Sequence, residues 1–421
     1  PLGLAVDLGT TKIAAYLVDL TSGQTLASEG IMNPQIAYGE DVVARMAYAQ
    51  QDPSQATRLQ ELVVEALNKA VAEMCAGAGL EPGHIADAVI VGNTAMHHLF
   101  LRLPVAQLAR APYVPAVASA LDVKTRELGL DTAPGIYAHL LPNIAGYVGA
   151  DHVAMLLASL PQSRAGSVIL AIDIGTNTEV CLVNHGTMTS TSCASGPAFE
   201  GAHIHHGMRA ANGAIERLRL VEGQVEYQTI GGGPPVGLCG SGILDALAEL
   251  FQAGVVDDRG RMGDSPGVRE VHKEAHRSRG AREFVIVAED GRQAGQPAIT
   301  FTQKDVRELQ LAKGAMRTGI NVLLETQGLA AEEIDEVIIA GAFGTYIDVA
   351  NAIAIGMLPE LPLDRFRQVG NAAGMGAKLA LISKTKRAGA LALARQIGYV
   401  ELATDPHFTK TFANAMYLGA S

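Results

Sequence analysis

A short turn that occurs twice constrains this chain more than any other feature. Residues 2–19 read LGLAVDLGTTKIAAYLVD, and residues 169–183 read ILAIDIGTNTEVCLV. In each copy an apolar run ends in Asp-x-Gly-Thr and a second apolar run follows, which predicts two strands joined by a tight turn. The two aspartates, Asp7 and Asp173, are too far apart for a solenoid repeat. The spacing instead predicts two homologous domains, whereas a single copy would indicate only an ordinary turn.

The order of the apolar patterns along the chain supports this duplication. Strands are predicted at 2–7, 12–19, 24–31 and 86–92, and helices at 56–78 and 143–160. The plan then restarts with strands at 168–174, 179–184, 187–192 and 336–340, and helices at 241–253, 303–327, 346–356 and 372–384. Residues 257–282 and 289–298 are rich in Gly, Arg, Asp and Ser, which predicts exposed insertions. We therefore expect a first domain at 1–165, with 372–398 packing back on it at the hinge, and a second at 166–421 with an insertion at about 257–300.

Composition argues against several classes of partner. The 421 residues are 48% hydrophobic and 18% charged, as in a globular protein, and the net charge is −11. This acidity, without a basic run, argues against nucleic acid or an anionic membrane as the main partner. No apolar run approaches the roughly 18 residues of a membrane span, and no secretory signal is present, so we expect a cytoplasmic protein.

The cysteines and the first residue lead to two further expectations. The four cysteines contain no Cys-x-x-Cys pair, which argues against a zinc ribbon or a ferredoxin-type cluster within the chain and leads us to expect reduced thiols. The first residue is Pro1 and not Met, so we expect a fragment whose N-terminal part is missing. Trimming of a short leader is the alternative.

The repeated turn has the chemistry of a phosphate site. A Gly lets the backbone approach a ligand, and successive N–H groups with Thr hydroxyls form a concave set of donors for phosphate oxygens. A leading Asp cannot bind phosphate directly, because both are negative, so it indicates Mg²⁺ held through water. We therefore expect Asp7 and Asp173, on facing turns, to hold one Mg²⁺–nucleotide in a cleft. The contacts to its phosphates are predicted at Gly9, Thr10, Thr11, Gly175, Thr176 and Asn177.

Three charged residues near the turns are further candidates, each with an alternative. Lys12 is placed to neutralise charge on the terminal phosphates, and a solvated strand end is the alternative. Glu179 begins the strand after the second turn and is a candidate for orienting water or holding metal through water, or it is a plain strand residue. Glu200, in SGPAFEG, is a candidate for orienting the attacking water, with a helix-start carboxylate as the alternative. The sequence contains no G-x-x-x-x-G-K-[ST], which argues against a P-loop.

Five segments in one order carry a resemblance that covers essentially the whole chain. They are VDLGTTK (6–12), NIAGYVGAD (143–151), IDIGTNTE (172–179), IIAGAFGTY (338–346) and GNAAGMGAK (370–378). This order resembles the phosphate 1, connect 1, phosphate 2, adenosine and connect 2 segments of the actin, hexokinase and heat-shock-chaperone ATPase superfamily. The resemblance implies an actin-like (ribonuclease H-like) α/β fold, with two duplicated domains whose mixed five-stranded sheets flank a nucleotide cleft. Small residues in 143–158 and 372–380 would let two helices cross closely at the hinge.

The same resemblance implies further contacts to the nucleotide. The backbone of Gly341, Ala342, Phe343 and Gly344 is expected against the purine and ribose. The helix at 303–327 has an apolar seam that Lys313 interrupts, and Arg317 follows one turn later. Because the corresponding helix of the superfamily often borders the adenine, these two cations are predicted nucleotide contacts. Side chains that only extend along the surface are the alternative.

Other strings narrow the resemblance within the superfamily. VGNTAMHHLFL (91–101), SGPAFEGAHI (195–204), LCGSGILDAL (238–247) and YVELATDPHFTKTFANAMYLG (399–419) are similar to the ATP-dependent reductive activators of corrinoid proteins. The resemblance implies an enzyme that uses ATP and Mg²⁺ to restore an inactive Co(II) corrinoid (cobalamin-binding) protein, of the methyl-transfer kind, to Co(I). It also implies a homodimer and an N-terminal plant-type [2Fe–2S] domain, which is absent from this chain.

Two other functions fit the same pattern. The first is a small-molecule kinase of the superfamily, acting on a sugar or an acid, with Glu200 as the carboxylate base. The second is a non-catalytic, nucleotide-switched binding protein like actin or the chaperones. Stimulation of hydrolysis by a corrinoid protein, by a small hydroxyl compound or by neither would separate the three.

Overall fold

The computed structural model describes residues 1–271, 281–292, 295–341 and 343–419. The strands are β1 (Leu2–Leu8), β2 (Lys12–Asp19), β3 (Thr25–Met32), β4 (Ile85–Gly92), β5 (Leu121–Lys124), β6 (Tyr137–Leu140), β7 (Val168–Ile174), β8 (Thr178–Asn184), β9 (Thr187–Cys193), β10 (Ala214–Val221), β11 (Gln224–Thr229), β12 (Gly237–Leu238), β13 (Val268–Val271), β14 (Ala281–Val287), β15 (Ile299–Thr302), β16 (Glu336–Ala340), β17 (Phe366–Gly370) and β18 (Ile397–Tyr399). The helices are α1 (Val42–Ala49), α2 (Pro53–Gly77), α3 (Thr94–Phe100), α4 (Thr125–Leu128), α5 (Ala150–Ser159), α6 (Gly240–Gln252), α7 (Gln303–Gln327), α8 (Val349–Ala354), α9 (Ala372–Ile382), α10 (Lys384–Gln396) and α11 (Phe408–Ala415).

Contacts between residues divide the chain into two units. The first comprises Pro1–Ser167, Val183–Ser190 and Asn371–Val400, and the second comprises Val168–Leu182, Thr191–Gly370 and Glu401–Ser421. The predicted return segment, 372–398, therefore groups with the first unit. Its role as a hinge stays a prediction.

The first unit is built on a mixed sheet with the strand order β3-β2-β1-β4-β6-β5. β1 is antiparallel to β2 and parallel to β4, and β4 is parallel to β6. The sheet was predicted with five strands, and within the described residues it has a sixth, β5, antiparallel to β6 at the edge. That strand is four residues long, too short to give a clear apolar pattern.

Alternating residues of β1 belong to two separate cores of the first unit. Leu4, Val6 and Leu8 belong to the core that includes residues of α2, whereas Ala5 belongs to the core that includes residues of α5 and α9. Because side chains alternate along a strand, Asp7 lies on the same face as Ala5, at the end of β1. The predicted close crossing of two helices is confirmed, since a Cβ at Gly376 of α9 would overlap the backbone of Ala154 in α5.

The second unit repeats the plan of the first. β17, β16, β7, β8 and β9 are neighbours in this order, and β16 is parallel to both β7 and β17. β7 and β16 thus correspond to β1 and β4 of the first unit, which confirms the predicted duplication. Two smaller sheets, β11-β10-β12 and β13-β14-β15, extend the second unit. β18 pairs with Met188–Ser190, the part of β9 that belongs to the first unit together with β18.

Most predicted elements are found, with three corrections. Residues 143–149 are not helical, because α5 begins only at Ala150 after two glycines that pack directly on other backbone segments. The helix predicted at 346–356 is the shorter α8, which Asp348 caps through a hydrogen bond to the backbone N–H of Asn351. The predicted insertion at 257–300 contains β13, β14 and part of β15, while 272–280 and 293–294 lie outside the described residues.

No helix in the described ranges is both long enough and apolar enough to cross a membrane.

Candidate functional site

The first turn lies at the end of β1 and consists of residues 9–11 before β2 begins at Lys12. A Cβ on Gly9 would overlap the carbonyl oxygen of Lys12, so the tight turn requires glycine there. Thr10 is buried, at 8% exposure, whereas Lys12 is exposed with its side chain beside Gly30 of β3. The predicted phosphate residues thus form one continuous turn whose final cation reaches solvent.

Three asparagines hold this turn from different parts of the first unit. Asn33 donates a hydrogen bond from Nδ2 to the carbonyl oxygen of Gly9 at 2.9 Å. Asn93 donates from Nδ2 to Oγ1 of Thr10 at 2.9 Å, and Asn371 donates from Nδ2 to Oδ2 of Asp7 at 2.9 Å. These contacts hold in place Asp7, which is a predicted catalytic residue, and Gly9 and Thr10, which are predicted to bind phosphate.

Burial changes the acidity of the groups around Asp7. Loss of solvation raises the pKa of the Asp7 carboxyl from 3.8 to about 6, and the hydrogen bond from Asn371 acts in the opposite direction. Burial and the negative charge of Asp7 both raise the pKa of Tyr16, which lies on β2. A carboxylate in such surroundings gains from a nearby cation, which is the property expected of a residue that holds Mg²⁺ through water.

The second turn has a different set of partners. Oγ1 of Thr176 donates a hydrogen bond to Oε1 of Glu200 at 2.7 Å, so the structure brings two sequence-predicted residues together. The N–H of Gly175 donates to the carbonyl oxygen of Asn177 at 3.1 Å and closes the turn. Ser195 Oγ lies 2.9 Å from Thr178 Oγ1 and 3.4 Å from the carbonyl oxygen of Thr176. The turn is thereby joined to the segment that carries Glu200.

Glu179 and Asp173 lie on the two strands that the second turn connects. Glu179 is 8% exposed, and its Oε1 accepts a hydrogen bond from Ser192 Oγ at 3.2 Å. Asp173 is half-buried at the end of β7, directly against Gly341. A Cβ on Gly341 would overlap the carbonyl oxygen of Ile174 and lie 3.0 Å from Asp173 Oδ1, so only glycine allows this approach. The φ angle of Gly341 is +92°, which also favours glycine.

The predicted adenosine segment follows Gly341. The ring of Phe343 stacks on Phe199 with centroids 5.1 Å apart and an interplanar angle of 23°. A Cβ on Gly344 would overlap the carbonyl oxygen of Ala340, so this residue packs on the end of β16. Ala342 lies outside the described residues. The segment therefore leads directly from the strand beside Asp173 to an aromatic pair in which Phe199 is the residue that precedes Glu200.

Lys313 and Arg317 are buried inside the second unit. The ammonium of Lys313 donates to the carbonyl oxygen of Tyr417, and the side chain is 1% exposed. Arg317 donates from Nη1 to the carbonyl oxygen of Leu358 and from Nε to Oδ1 of Asn321, both at 3.0 Å. Neither side chain extends along the surface, so that alternative is wrong for both. Their predicted contact with a nucleotide stays a prediction.

Comparison with known proteins identifies the family. Residues 167–421 match the C-terminal domain of RACo, described as the ASKHA domain, and residues 2–162 match the RACo middle region. The chain belongs to the RACo family. Its fold is therefore of the ASKHA type, the actin-like type predicted from the five segments.

Three relatives show how much of the RACo family protein this chain covers. The corrinoid activation enzyme RamQ of Eubacterium limosum is 38% identical over 418 residues, which are 99% of this chain and 70% of RamQ. The [Co(II) methylated amine-specific corrinoid protein] reductase of Methanosarcina barkeri is 23% identical over 97% of this chain and 76% of its own length. A solved reductive activator for corrinoid, iron-sulfur protein is 38% identical with a TM-score of 0.88. The match covers 99% of this chain but only 66% of that structure.

Sequence reasoning missed the three asparagines, although one signal could have found two of them. Val91-Gly92-Asn93-Thr94-Ala95 and Val369-Gly370-Asn371-Ala372-Ala373 share the pattern Val-Gly-Asn-x-Ala. In both, a strand ends at the glycine and a helix begins after the asparagine. An asparagine in this position is a preferred helix cap, but the cap alone does not reveal which side chain or carbonyl its Nδ2 reaches.

The described residues contain no group of three or more His, Cys, Asp or Glu side chains that could hold a metal ion. The four cysteines lie in the described part of the chain, are buried and form no disulfide. Burial of Cys193 and the charge of nearby Glu179 raise the pKa of its thiol well above the usual range, which disfavours the thiolate. The described part of the chain therefore does not fit a [2Fe–2S] cluster.

Proposed function

We propose that this chain is the ATP-using part of a reductive activator that restores a Co(II) corrinoid protein to Co(I). The observation that carries the proposal is the identity of 38% over 99% of the chain to an enzyme named for corrinoid activation. The relative named as a reductase of a Co(II) corrinoid protein supports the same substrate class. We propose a methyl-transfer corrinoid protein as the partner and a homodimer as the form of the whole protein.

The duplicated turns support the use of a Mg²⁺–nucleotide. Asp7 and Asp173 are proposed to hold Mg²⁺ through water, and the metal would supply charge neutralisation on the phosphates. Gly9, Thr10, Thr11 and Lys12 are proposed to bind phosphate from one turn, and Gly175, Thr176 and Asn177 from the other. Gly9 is required by a close backbone contact within the first turn, and Gly341 by its close approach to Ile174 and Asp173, where the second turn begins. These contacts support the idea that both places are built for a specific geometry.

Glu200 is the proposed residue that orients the attacking water. Its Oε1 already accepts the hydroxyl proton of Thr176 at 2.7 Å, which fixes the carboxylate beside the second turn. Glu179 is more deeply buried and is proposed to act on the metal's water shell from β8. A positioned carboxylate is the kind of group that orients a nucleophile in phosphoryl transfer.

Coupling to the corrinoid protein follows from a general limit on conformational change. Reduction of Co(II) adds one electron from a separate donor, which we propose is a [2Fe–2S] domain of the whole protein. Nucleotide binding can favour the reducible form of the partner only by the difference in affinity between two states of this chain. Hydrolysis and phosphate release then return the chain to its first state. On this account the corrinoid protein must change the affinity of this chain for nucleotide, since the coupling between two binding equilibria is reciprocal. We expect the rate of hydrolysis to change with it.

The test is phosphate release from ATP by this chain, with and without a corrinoid protein in the Co(II) state. We expect stimulation by the Co(II) protein and loss of hydrolysis in Asp173→Asn, which keeps the size of the side chain. Asp19→Asn is the matched control, because Asp19 lies at the far end of β2 from the first turn and is expected to leave hydrolysis unchanged. Transfer of phosphate to an added sugar or acid, without stimulation by the corrinoid protein, would establish the kinase alternative instead.

A further inference from the structure

We propose that Asn33, Asn93 and Asn371 are positioning residues. They orient the groups of the first turn so that it presents hydrogen-bond donors to phosphate. We call these three residues the asparagine collar. The inference rests on the proposed nucleotide function and assigns a role to residues that do not themselves belong to the turn. It depends on contacts within the first unit alone.

Each member of the collar uses its side-chain oxygen to cap a helical turn. Oδ1 of Asn33 accepts the backbone N–H of Gln35 at 3.0 Å, and Oδ1 of Asn93 accepts that of Met96 at 2.9 Å. Oδ1 of Asn371 accepts the backbone N–H of Gly374 at 2.7 Å, at the start of α9. A backbone N–H can only donate, so it fixes which end of each amide faces the helix.

The capping contacts therefore decide the direction of the other three hydrogen bonds. With Oδ1 facing a helix, the Nδ2 group of every collar residue faces the first turn and can only donate to it. The acceptors are the carbonyl oxygen of Gly9, Oγ1 of Thr10 and Oδ2 of Asp7, each at 2.9 Å. Three of the acceptor groups that would repel a phosphate are thus already engaged by amide N–H groups.

Thr10 shows most clearly how a hydrogen bond from the collar orients a group of the first turn. Its Oγ1 accepts a hydrogen bond from Asn93, so the hydroxyl proton must point elsewhere and is available to donate to an anion. Thr10 is only 8% exposed, so little water can reach the hydroxyl and the direction of its proton matters. Without Asn93 the hydroxyl could rotate and use its proton within the protein.

The second turn has the opposite arrangement at the matching threonine. Thr176 occupies the position of Thr10 in the repeated motif, but it donates its hydroxyl proton to Glu200. The two turns therefore differ in polarity although their sequences are alike. The first presents donors to phosphate, and the second commits a hydroxyl proton to the carboxylate proposed to orient water.

The experiment is a double-mutant cycle on Asn93 and Thr10, with Mg²⁺–ATP affinity measured by calorimetry. Asn93→Ser keeps a good helix cap, but its side chain is too short to reach Thr10. Thr10→Val removes the hydroxyl and keeps the shape. We expect each single variant to bind Mg²⁺–ATP about 10-fold more weakly, as for loss of a hydrogen bond to a charged group. The double variant is expected to bind no more weakly than Thr10→Val alone.

Two controls separate this role from a structural one. Thermal unfolding of Asn93→Ser should stay close to wild type, since the cap is retained. Asp52→Ser changes the cap of α2, far along the chain from the turn, and should leave ATP affinity unchanged. If Asn93→Ser does not fold, the same cycle is run with Asn93→Thr, which also keeps a helix cap and is too short to reach Thr10.

The outcomes are distinct. Wild-type affinity in Asn93→Ser, or losses that multiply in the double variant, would overturn the role of the collar while leaving nucleotide binding in place. A wild-type chain that does not bind Mg²⁺–ATP at all would overturn the proposed function, and the collar's role with it.

Discussion

At the scale of single residues, burial of the charged Asp7 carboxylate in the candidate site lowers the free energy of unfolding. Burial raises the pKa of its carboxyl from 3.8 to about 6, so the folded protein binds this proton more tightly than the unfolded chain. The contribution of Asp7 to the free energy of unfolding is therefore full below about pH 4 and is lost as the pH rises through 6. Asp7→Asn removes this loss and should stabilise the nucleotide-free protein at pH 7.5 by about 3 kcal/mol.

Urea denaturation of the wild type and Asp7→Asn between pH 4 and 8 measures this difference. The two stabilities should converge at the acidic end and separate as the pH rises, while ATP hydrolysis is lost in the variant. A constant difference across the range would show that the charge of Asp7 is not what costs stability.

The burial of Lys313 also costs stability, but this cost changes with pH in the opposite direction. Burial, with the nearby charge of Arg317, lowers the pKa of its ammonium from 10.5 to about 7. The folded protein therefore binds this proton less tightly than the unfolded chain, and the free energy of unfolding rises as the pH increases from 7 toward 10. We expect a gain of about 2 kcal/mol between pH 7 and 9 by urea denaturation, and a smaller gain in Lys313→Met. Lys304→Met, an exposed position on the same helix, is the control and should keep the wild-type pH dependence.

At the scale of helices and strands, the crossing of α5 and α9 depends on one glycine. A Cβ at Gly376 would overlap the carbonyl oxygen of Ala154, which is backbone and cannot rotate away. Gly376→Ala should therefore lower the free energy of unfolding by about 3 kcal/mol or more, as expected for an overpacked contact with backbone.

Gly389→Ala in α10 is the matched control for this crossing. The nearest atom to a Cβ there is Leu157 Cδ1 at 3.7 Å, an ordinary contact, so helix propensity should make this variant about 0.5–1 kcal/mol more stable. Equal effects of the two substitutions would show that the close crossing does not limit stability.

The helices also show where pattern alone suffices and where it fails. α7 was predicted at 303–327 and is found at Gln303–Gln327, because a Thr302 cap and Gly328 at φ +65° give clear signals at both ends. Residues 143–149 have helical spacing but form a loop, since Gly146 and Gly149 meet other backbone segments at contacts that no local pattern records. Close packing between backbone segments that are distant in sequence therefore could not be predicted from the local pattern.

At the scale of the whole molecule, duplication is the property that the sequence predicted best. The repeated Asp-x-Gly-Thr turn predicted two related units, and β1 and β7 stand beside the equivalent parallel strands β4 and β16. What the sequence could not predict is how the two copies have diverged. That difference depends on partners distant in sequence, such as Asn371 for Asp7 and Glu200 for Thr176, whose contacts only the fold creates.

The divergence of the two copies leads to a prediction for the intact chain. If both turns contact the phosphates of a Mg²⁺–nucleotide, ligand should slow hydrogen exchange in residues 9–12 and in residues 175–178, because bound N–H groups open less often. The exposed hairpin of β10 and β11 is the internal control and should exchange at the same rate with and without ligand. Asp173→Asn should reduce the slowing at the second turn more than at the first. Slowing confined to residues 9–12 in the wild type would mean that only the first unit binds the nucleotide, and that the second turn has kept the sequence of a phosphate site without its use.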